Sequence, residues 1–148
     1  MNPALRETFT LRAMEPCDYS FILDSWLRSF KNSPRGCRLE DYWTSQRKTC
    51  EHLLGTTDVL IASPKDWPEG ILGWICGETQ GETCVVHYVY SKKAVQKMGL
   101  ASFLVFELRG PSPKLAYTHL RPPFSLFIER LGGHYDRGLI RKAIKSYV

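Results

Sequence analysis

The spacing of apolar residues divides the chain into short elements. Phe9 to Arg12 alternates apolar and polar positions, which predicts a strand that Ala13 to Pro16 ends. Pro16 suits the first turn of a helix. From Tyr19 onward Ile22, Leu23, Trp26, Leu27 and Phe30 recur at helical spacing, and Lys31 to Arg38, with Pro34 and Gly36, breaks that helix. A second helix follows with Leu39, Tyr42, Trp43, Gln46, Cys50 and Leu53 on one side, and Gly55 is expected as its C-terminal cap.

The period then changes. Val59 to Ala62 predicts a short apolar strand and Pro64 to Gly70 a loop. Ile71 to Glu78 and Glu82 to Tyr90 predict two strands whose short connector, Thr79 to Gly81, favours an antiparallel hairpin. A helix from Leu100 to Arg109 is stopped by Gly110 to Pro113. Leu115 to Thr118 predicts a strand, Pro122 to Leu131 a helix closed by Gly132 and Gly133, and the tail from His134 a last strand or two. Hairpins followed by separate helices imply an α+β fold, a central mostly antiparallel mixed sheet flanked by helices. Residues 1–148 show no repeat, low-complexity tract or linker and read as a single domain.

Composition narrows the class. A chain of 148 residues with 43% hydrophobic and 12% aromatic content can bury one core and is not disordered in character. No apolar run approaches the roughly 18 residues of a membrane span. Met1 to Thr10 lacks an apolar signal core, so a cytoplasmic protein is expected. The five cysteines, Cys17, Cys37, Cys50, Cys76 and Cys84, are odd in number and lack metal-knuckle spacing, which reads as free thiols and no metal site. Cys76 and Cys84 are placed where a hairpin could bring them face to face. A net charge of +5 favours anionic ligands without naming one.

One segment carries chemistry. The strand ending His87-Tyr88-Val89-Tyr90 passes through Ser91 to Val95 into Gln96-Lys97-Met98-Gly99-Leu100-Ala101, where a helix begins. The first turn of a helix offers backbone N–H groups without intrahelical partners, and its dipole adds to their attraction for phosphate. Gly99 lets an anion approach the backbone, Ala101 leaves the helix start uncrowded, and Lys92, Lys93 and Lys97 add charge. On these grounds alone an ordinary basic turn and an anion site stand level. The segment is neither a P-loop nor a dinucleotide fingerprint.

Gln96-Lys97-Met98-Gly99-Leu100-Ala101 resembles the Q/R-x-x-G-x-G/A signature of the GCN5-related N-acetyltransferase (GNAT) superfamily. In that family the signature follows a bulged strand ending in alternating apolar residues, as Val85 to Tyr90 do here, and the resemblance extends over nearly the whole chain. Phe9 to Arg12 is similar to that family's first strand, Tyr19 to Leu54 to its paired first helices, and Phe127 to Gly133 to its late helix and Leu-Gly turn. Gly73 to Glu78 and His87 to Tyr90 also resemble small GNAT-like proteins of bacteriophages, which would place the chain in a bacterial host cytoplasm.

The resemblance implies a GNAT-like acyl-CoA N-acyltransferase fold, with acetyl-CoA as co-substrate and an amine, on a protein or small molecule, as acceptor. It implies that the diphosphate lies on Gln96, Lys97, Met98, Gly99, Leu100, Ala101 and Ser102. The pantetheine arm would pair with the open edge of the strand at Tyr88, Val89 and Tyr90, with the thioester near Val89. Backbone groups there would stabilise the oxyanion, and catalysis would rest mainly on positioning.

Two features depart from that pattern. The interval from Val89 to Gln96 is longer than the family's, and alignment on Leu131-Gly132 puts Ile128, with Phe127 beside it, where the family often has a proton-donating tyrosine. Proton transfer then falls to other candidates. His87, Glu78 and Tyr90 are the chosen ones, with Glu82, Tyr88 and His119 behind them. Regular alternation would put Val85, His87 and Val89 on one face of the strand and Val86, Tyr88 and Tyr90 on the other. Trp26 and Trp43 read as core, and Trp67 as the exposed aromatic. Three functions follow in order: an acyltransferase, a GNAT-scaffold binding protein acting on another protein, and a nucleic-acid module resting on charge and on Lys142 and Lys145. Oligomerisation through an open C-terminal strand edge stays open.

Overall fold

The structure, a computed structural model, describes residues 7–30 and 39–140, and the side chains of the second stretch from Trp43 on. Cys37, Lys142 and Lys145 and the end of the tail lie outside the described residues. The strands are β1 (Phe9–Ala13), β2 (Asp58–Pro64), β3 (Gly73–Gln80), β4 (Thr83–Ser91), β5 (Lys114–Tyr117) and β6 (His134–Tyr135). The helices are α1 (Tyr19–Leu27), α2 (Leu39–Thr56), α3 (Leu100–Arg109) and α4 (Phe124–Arg130), with 3-10 turns at Pro16–Asp18, Arg28–Phe30 and Lys93–Met98.

The strands form one sheet in sequence order. β1 to β4 is an antiparallel meander, whereas β4–β5 and β5–β6 pair in parallel because a helix returns the chain each time. Alternation along β2 and β3 splits the core in two. Val59, Ile61, Trp74 and Cys76 face α1 and α2 together with Ile22, Leu23, Trp26, Leu27 and Leu53. Ala62 and Ile75 face α3 and α4 with Leu100, Phe103, Leu104 and Ile128. The helical face expected from Ile22 to Phe30 is thus the buried face. Trp26 is in the core, Trp43 packs partly buried against it, and Trp67 is 58% exposed.

Three expectations are corrected. Gly55 does not cap α2, which continues to Thr56. The hydroxyls of Thr56 and Thr57 donate back to the carbonyls of His52 and Leu53, so two threonines satisfy the end that a glycine would have turned. Cys76 and Cys84 do not face each other. Cys76 is opposite Tyr88 and Cys84 opposite Thr79, and they belong to cores on opposite faces of the sheet.

The third correction matters most. β3 pairs Cys76 with Tyr88 but Gly77 with Val86, so His87 is an extra residue and β4 bulges there. The bulge resets the alternation. Val86 and Val89 both face α3, while Tyr88 and Tyr90 contact the α1 side. Gly77 sits opposite the bulge because a Cβ there would meet the Val85 carbonyl oxygen and come 2.7 Å from Leu108 Cδ2.

Candidate active site

The β4–β5 ladder ends at Val86 and Tyr117, whereas β4 runs on to Ser91. From His87 onward β4 is paired with β3 alone, and its other edge opens into a cleft. The cleft has a volume of about 450 Å³. One wall is Tyr88, Val89, Tyr90 and Ser91 of β4; another is Gln96, Gly99, Ala101 and Ser102 at the start of α3. Ser25, Arg28 and Ser29 come from α1 and the turn after it, and Pro123, Phe124 and Phe127 from α4 and its approach.

The head of α3 is built by Gly99. Its φ of 81° and ψ of 19° are left-handed, a conformation glycine adopts without the Cβ penalty, and no side chain caps the helix there. The long interval between β4 and Gly99 is taken up by the 3-10 turn Lys93–Met98, whose Val95 is buried. Gln96 Nε2 donates to the Ser91 carbonyl at 3.2 Å and ties this turn to the end of β4. A cleft end of this kind presents helix-terminal N–H groups beside an unpaired strand edge.

Aromatic packing fixes the strand wall. Trp26 stacks on Tyr88 with centroids 5.8 Å apart and planes 9° apart, and Phe124 lies 5.1 Å from Tyr88 on the other side. Burial raises the Tyr88 phenol above its usual range, with the Ser29 hydroxyl opposing that rise. Trp74 Nε1 donates to Ser25 Oγ at 2.9 Å, and Ser25 Oγ donates to the Ile22 carbonyl.

Of the residues expected to hold acetyl-CoA, Tyr88, Val89, Tyr90, Gln96, Gly99, Ala101 and Ser102 are brought together on the cleft. Lys97 and Met98 point to solvent just outside, and Leu100 is fully buried beneath the head of α3. The expected catalytic residues divide. Tyr90 lines the cleft, whereas His87 and Glu78 do not. Glu82 is an exposed turn residue whose carboxylate is 3.9 Å from Lys114 Nζ. Ile128 is fully buried in the core, so α4 offers the cleft Phe124 and Phe127.

The bulge instead sets His87 into a buried polar chain. His87 Nδ1 is 2.8 Å from Thr118 Oγ1, which is 2.9 Å from His119 Nδ1. His87 Nε2 lies 3.8 Å from Glu78 Oε1, too far for a hydrogen bond and near enough for attraction. His87 holds the Glu78 carboxyl below its usual range, aided by the Gln80 amide. Thr118 has one hydroxyl proton, so one ring nitrogen receives it and the other must donate. The carboxylate favours a proton on His87 Nε2, which makes His87 Nδ1 the acceptor and His119 Nδ1 the donor. Burial pushes His119 down to about 3, so it is neutral at pH 7.

Ser25, Arg28, Ser29, Pro123, Phe124 and Phe127 are cleft residues that were not foreseen. The spacing of Ser25, Arg28 and Ser29 by three and four was the available signal, a polar stripe beside the apolar helix face. Among the described residues no three His, Cys, Asp or Glu converge on a metal-sized site, and no helix is long and apolar enough to cross a membrane.

No protein-family model and no curated protein matches the sequence. Solved structures do. A Pyrococcus furiosus protein assigned as an acetyl transferase superposes with a TM-score of 0.60 at 16% identity, covering 84% of this chain and 91% of the other. A GNAT family acetyltransferase from Brucella melitensis in complex with acetyl-CoA gives 0.50 at 17% identity over 80% of each chain. The aminoglycoside N-acetyltransferase AAC(6')-Iy in complex with CoA gives 0.51 at 10% identity over 83% of each. The chain has the GNAT acetyltransferase fold, an α+β architecture with a six-stranded mixed sheet flanked by helices.

Proposed function

We propose that this GNAT-fold chain transfers an acetyl group from acetyl-CoA to an amine. The observation that carries the reading is the juxtaposition, in one cleft, of the unpaired edge of β4 with the Gly99-headed start of α3. Unpaired strand N–H and C=O groups suit the amides of a pantetheine arm, as an added strand would. The helix start suits a diphosphate, and the neighbouring Lys92, Lys93 and Lys97 favour the same charge.

Chemically, the amine nitrogen attacks the thioester carbonyl carbon, the carbon–sulfur bond breaks, and the amide and CoA thiol are the products. The strand N–H groups near Val89 polarise the carbonyl and stabilise the oxyanion while the walls exclude water. The amine loses a proton and the thiolate gains one. Tyr88 and Tyr90 carry the hydroxyls at the strand wall suited to the second transfer. His87 and Glu78 act, on this reading, behind the strand through Thr118 and His119. The setting is a bacterial or phage-infected cytoplasm, with the acceptor a small molecule or a protein.

A second reading, a GNAT-scaffold binding protein, is favoured by one observation: α4 presents only Phe124 and Phe127 to the cleft and buries Ile128, the position that the resemblance aligns with the family's proton-donating tyrosine. Acetyl-CoA should raise the melting temperature, and release of free CoA thiol in the presence of an amine panel should be measurable. No stabilisation by acetyl-CoA would overturn both the donor site and the activity. Stabilisation with no thiol release from any amine would leave the binding-protein reading.

A further inference from the structure

The two ends of the cleft differ in charge, and contacts along α1 identify them. Phe21, in the first turn of α1, packs edge-on against Tyr90 at 5.9 Å, and Lys92 Nζ lies 5.5 Å over the Phe21 ring. Further along, Trp26 stacks on Tyr88. Phe30, just beyond α1, reaches His119 at 6.1 Å. α1 therefore runs opposite to the end of β4. Its start lies with Tyr90, Lys92 and the loop leading to Gly99, and its end lies with Tyr88 and His119.

Arg28 belongs to the second end. It is exposed, lines the cleft, and is followed by Ser29, whose hydroxyl bears on Tyr88. Arg121 stands at the same end, its guanidinium carbon 4.7 Å over the Phe30 ring. Among the described residues no Asp or Glu lines the cleft. The phosphates of an acyl donor are served at the opposite end by the head of α3 and its lysines. The Arg28 guanidinium in the cleft wall beside the thioester end disfavours a polycation. It attracts an amine that brings its own anion, and a guanidinium fork matches a carboxylate in particular.

We infer that the acceptor is a small amino acid-type amine whose carboxylate pairs with Arg28, and not a polyamine, an aminoglycoside or a lysine in a basic peptide. The inference rests on the acyltransfer reading. A cleft of about 450 Å³, shared with the donor's pantetheine arm, suits a small acceptor. Charge assistance from Arg28 holds the carboxylate and leaves the adjacent amine facing the strand wall near Val89.

The test measures CoA thiol release with acetyl-CoA and matched acceptors: each α-amino acid, its carboxamide and spermidine. At least one amino acid should exceed its amide by about 10- to 100-fold in kcat/KM, mostly through KM. Arg28→Gln should bring acid and amide within about twofold, and Arg28→Lys should fall between. Amides equal to acids, or spermidine as the best acceptor, would overturn the inference. So would a tenfold loss of acetyl-CoA affinity in Arg28→Gln, since Arg28 would then serve the donor. Calorimetry with acetyl-CoA alone separates the two levels. No donor binding defeats the acyltransfer reading itself, while donor binding without turnover of any amino acid defeats only the acceptor assignment.

Discussion

Gly73→Ala tests whether the cleft depends on close packing behind it. Gly73 opens β3 opposite Ser91, outside the cleft lining. An added Cβ would come 2.7 Å from the Tyr90 carbonyl oxygen, 2.9 Å from Leu100 Cδ2 and 3.4 Å from Leu104 Cδ1. The first contact falls about 0.7 Å short of ordinary van der Waals distance, and it is with backbone. Leu100 is fully buried and has little room to yield. Overpacking of this kind costs about 1–3 kcal/mol, and the reduced freedom of the unfolded chain returns about 0.5–1 kcal/mol. Because the nearest neighbour is backbone, the cost falls in the upper part of that range, about 2–3 kcal/mol, and the net loss should be about 1–2.5 kcal/mol.

The displaced groups are the strand wall at Tyr90 and the seat of α3 at Leu100. Both proposed halves of the donor site therefore move, and acetyl-CoA affinity should fall at least about tenfold, or about 1.4 kcal/mol. Gly55→Ala is the matched control. Nothing lies within 4 Å of its added Cβ, and it sits inside α2, so stability should rise by about 0.5–1 kcal/mol with unchanged binding. Urea unfolding and acetyl-CoA calorimetry read both quantities. The reasoning is refuted if Gly73→Ala keeps stability within about 0.5 kcal/mol of the parent and binds acetyl-CoA equally well.

Three further outcomes follow from the buried groups. Thr118→Val removes the hydroxyl between two buried ring nitrogens and should cost about 2–4 kcal/mol in chemical denaturation, whereas the same change at exposed Thr79 should cost less than about 0.5 kcal/mol. His119, neutral in the folded chain down to about pH 3, takes up a proton near pH 6.5 once unfolded. Its contribution is present above about pH 6.5 and is lost as pH falls toward 3, with a slope of at most about 1.4 kcal/mol per pH unit. Unfolding curves at stepped pH should show that slope, and His119→Gln should reduce it. Burial raises the Cys50 thiol strongly, Cys76 to about 12 and Cys84 to about 11, so mass spectrometry after native alkylation near pH 8 should find all three unlabelled and exposed Cys17 labelled.

The parts legible in the sequence were those set by local periodicity. Ile22 to Phe30 and Leu100 to Arg109 could be placed because helical spacing of apolar residues leaves one burial solution. Gly99 could be singled out because it stands in the resembling signature at the start of a helix, and its left-handed backbone is what the structure adds. The resemblance implied a bulged strand at Val85 to Tyr90, but the local pattern did not place the bulge at His87. Val85 to Tyr90 is apolar or aromatic on both faces, so inserting one residue leaves no mark on the pattern. The open edge of β4 was implied by the family resemblance alone, since the local pattern does not show that β5 ends at Tyr117 while β4 continues to Ser91. The α1 wall was readable only as a polar stripe, and its position against Tyr88 is a tertiary fact.

A crystal structure grown with acetyl-CoA tests the central claim most directly. Density for the pantetheine arm is expected along the open edge of β4 at Tyr88 to Ser91, with the diphosphate on the backbone from Gly99 to Ser102. Density for the diphosphate elsewhere, or a clear cleft at saturating acetyl-CoA, would contradict it.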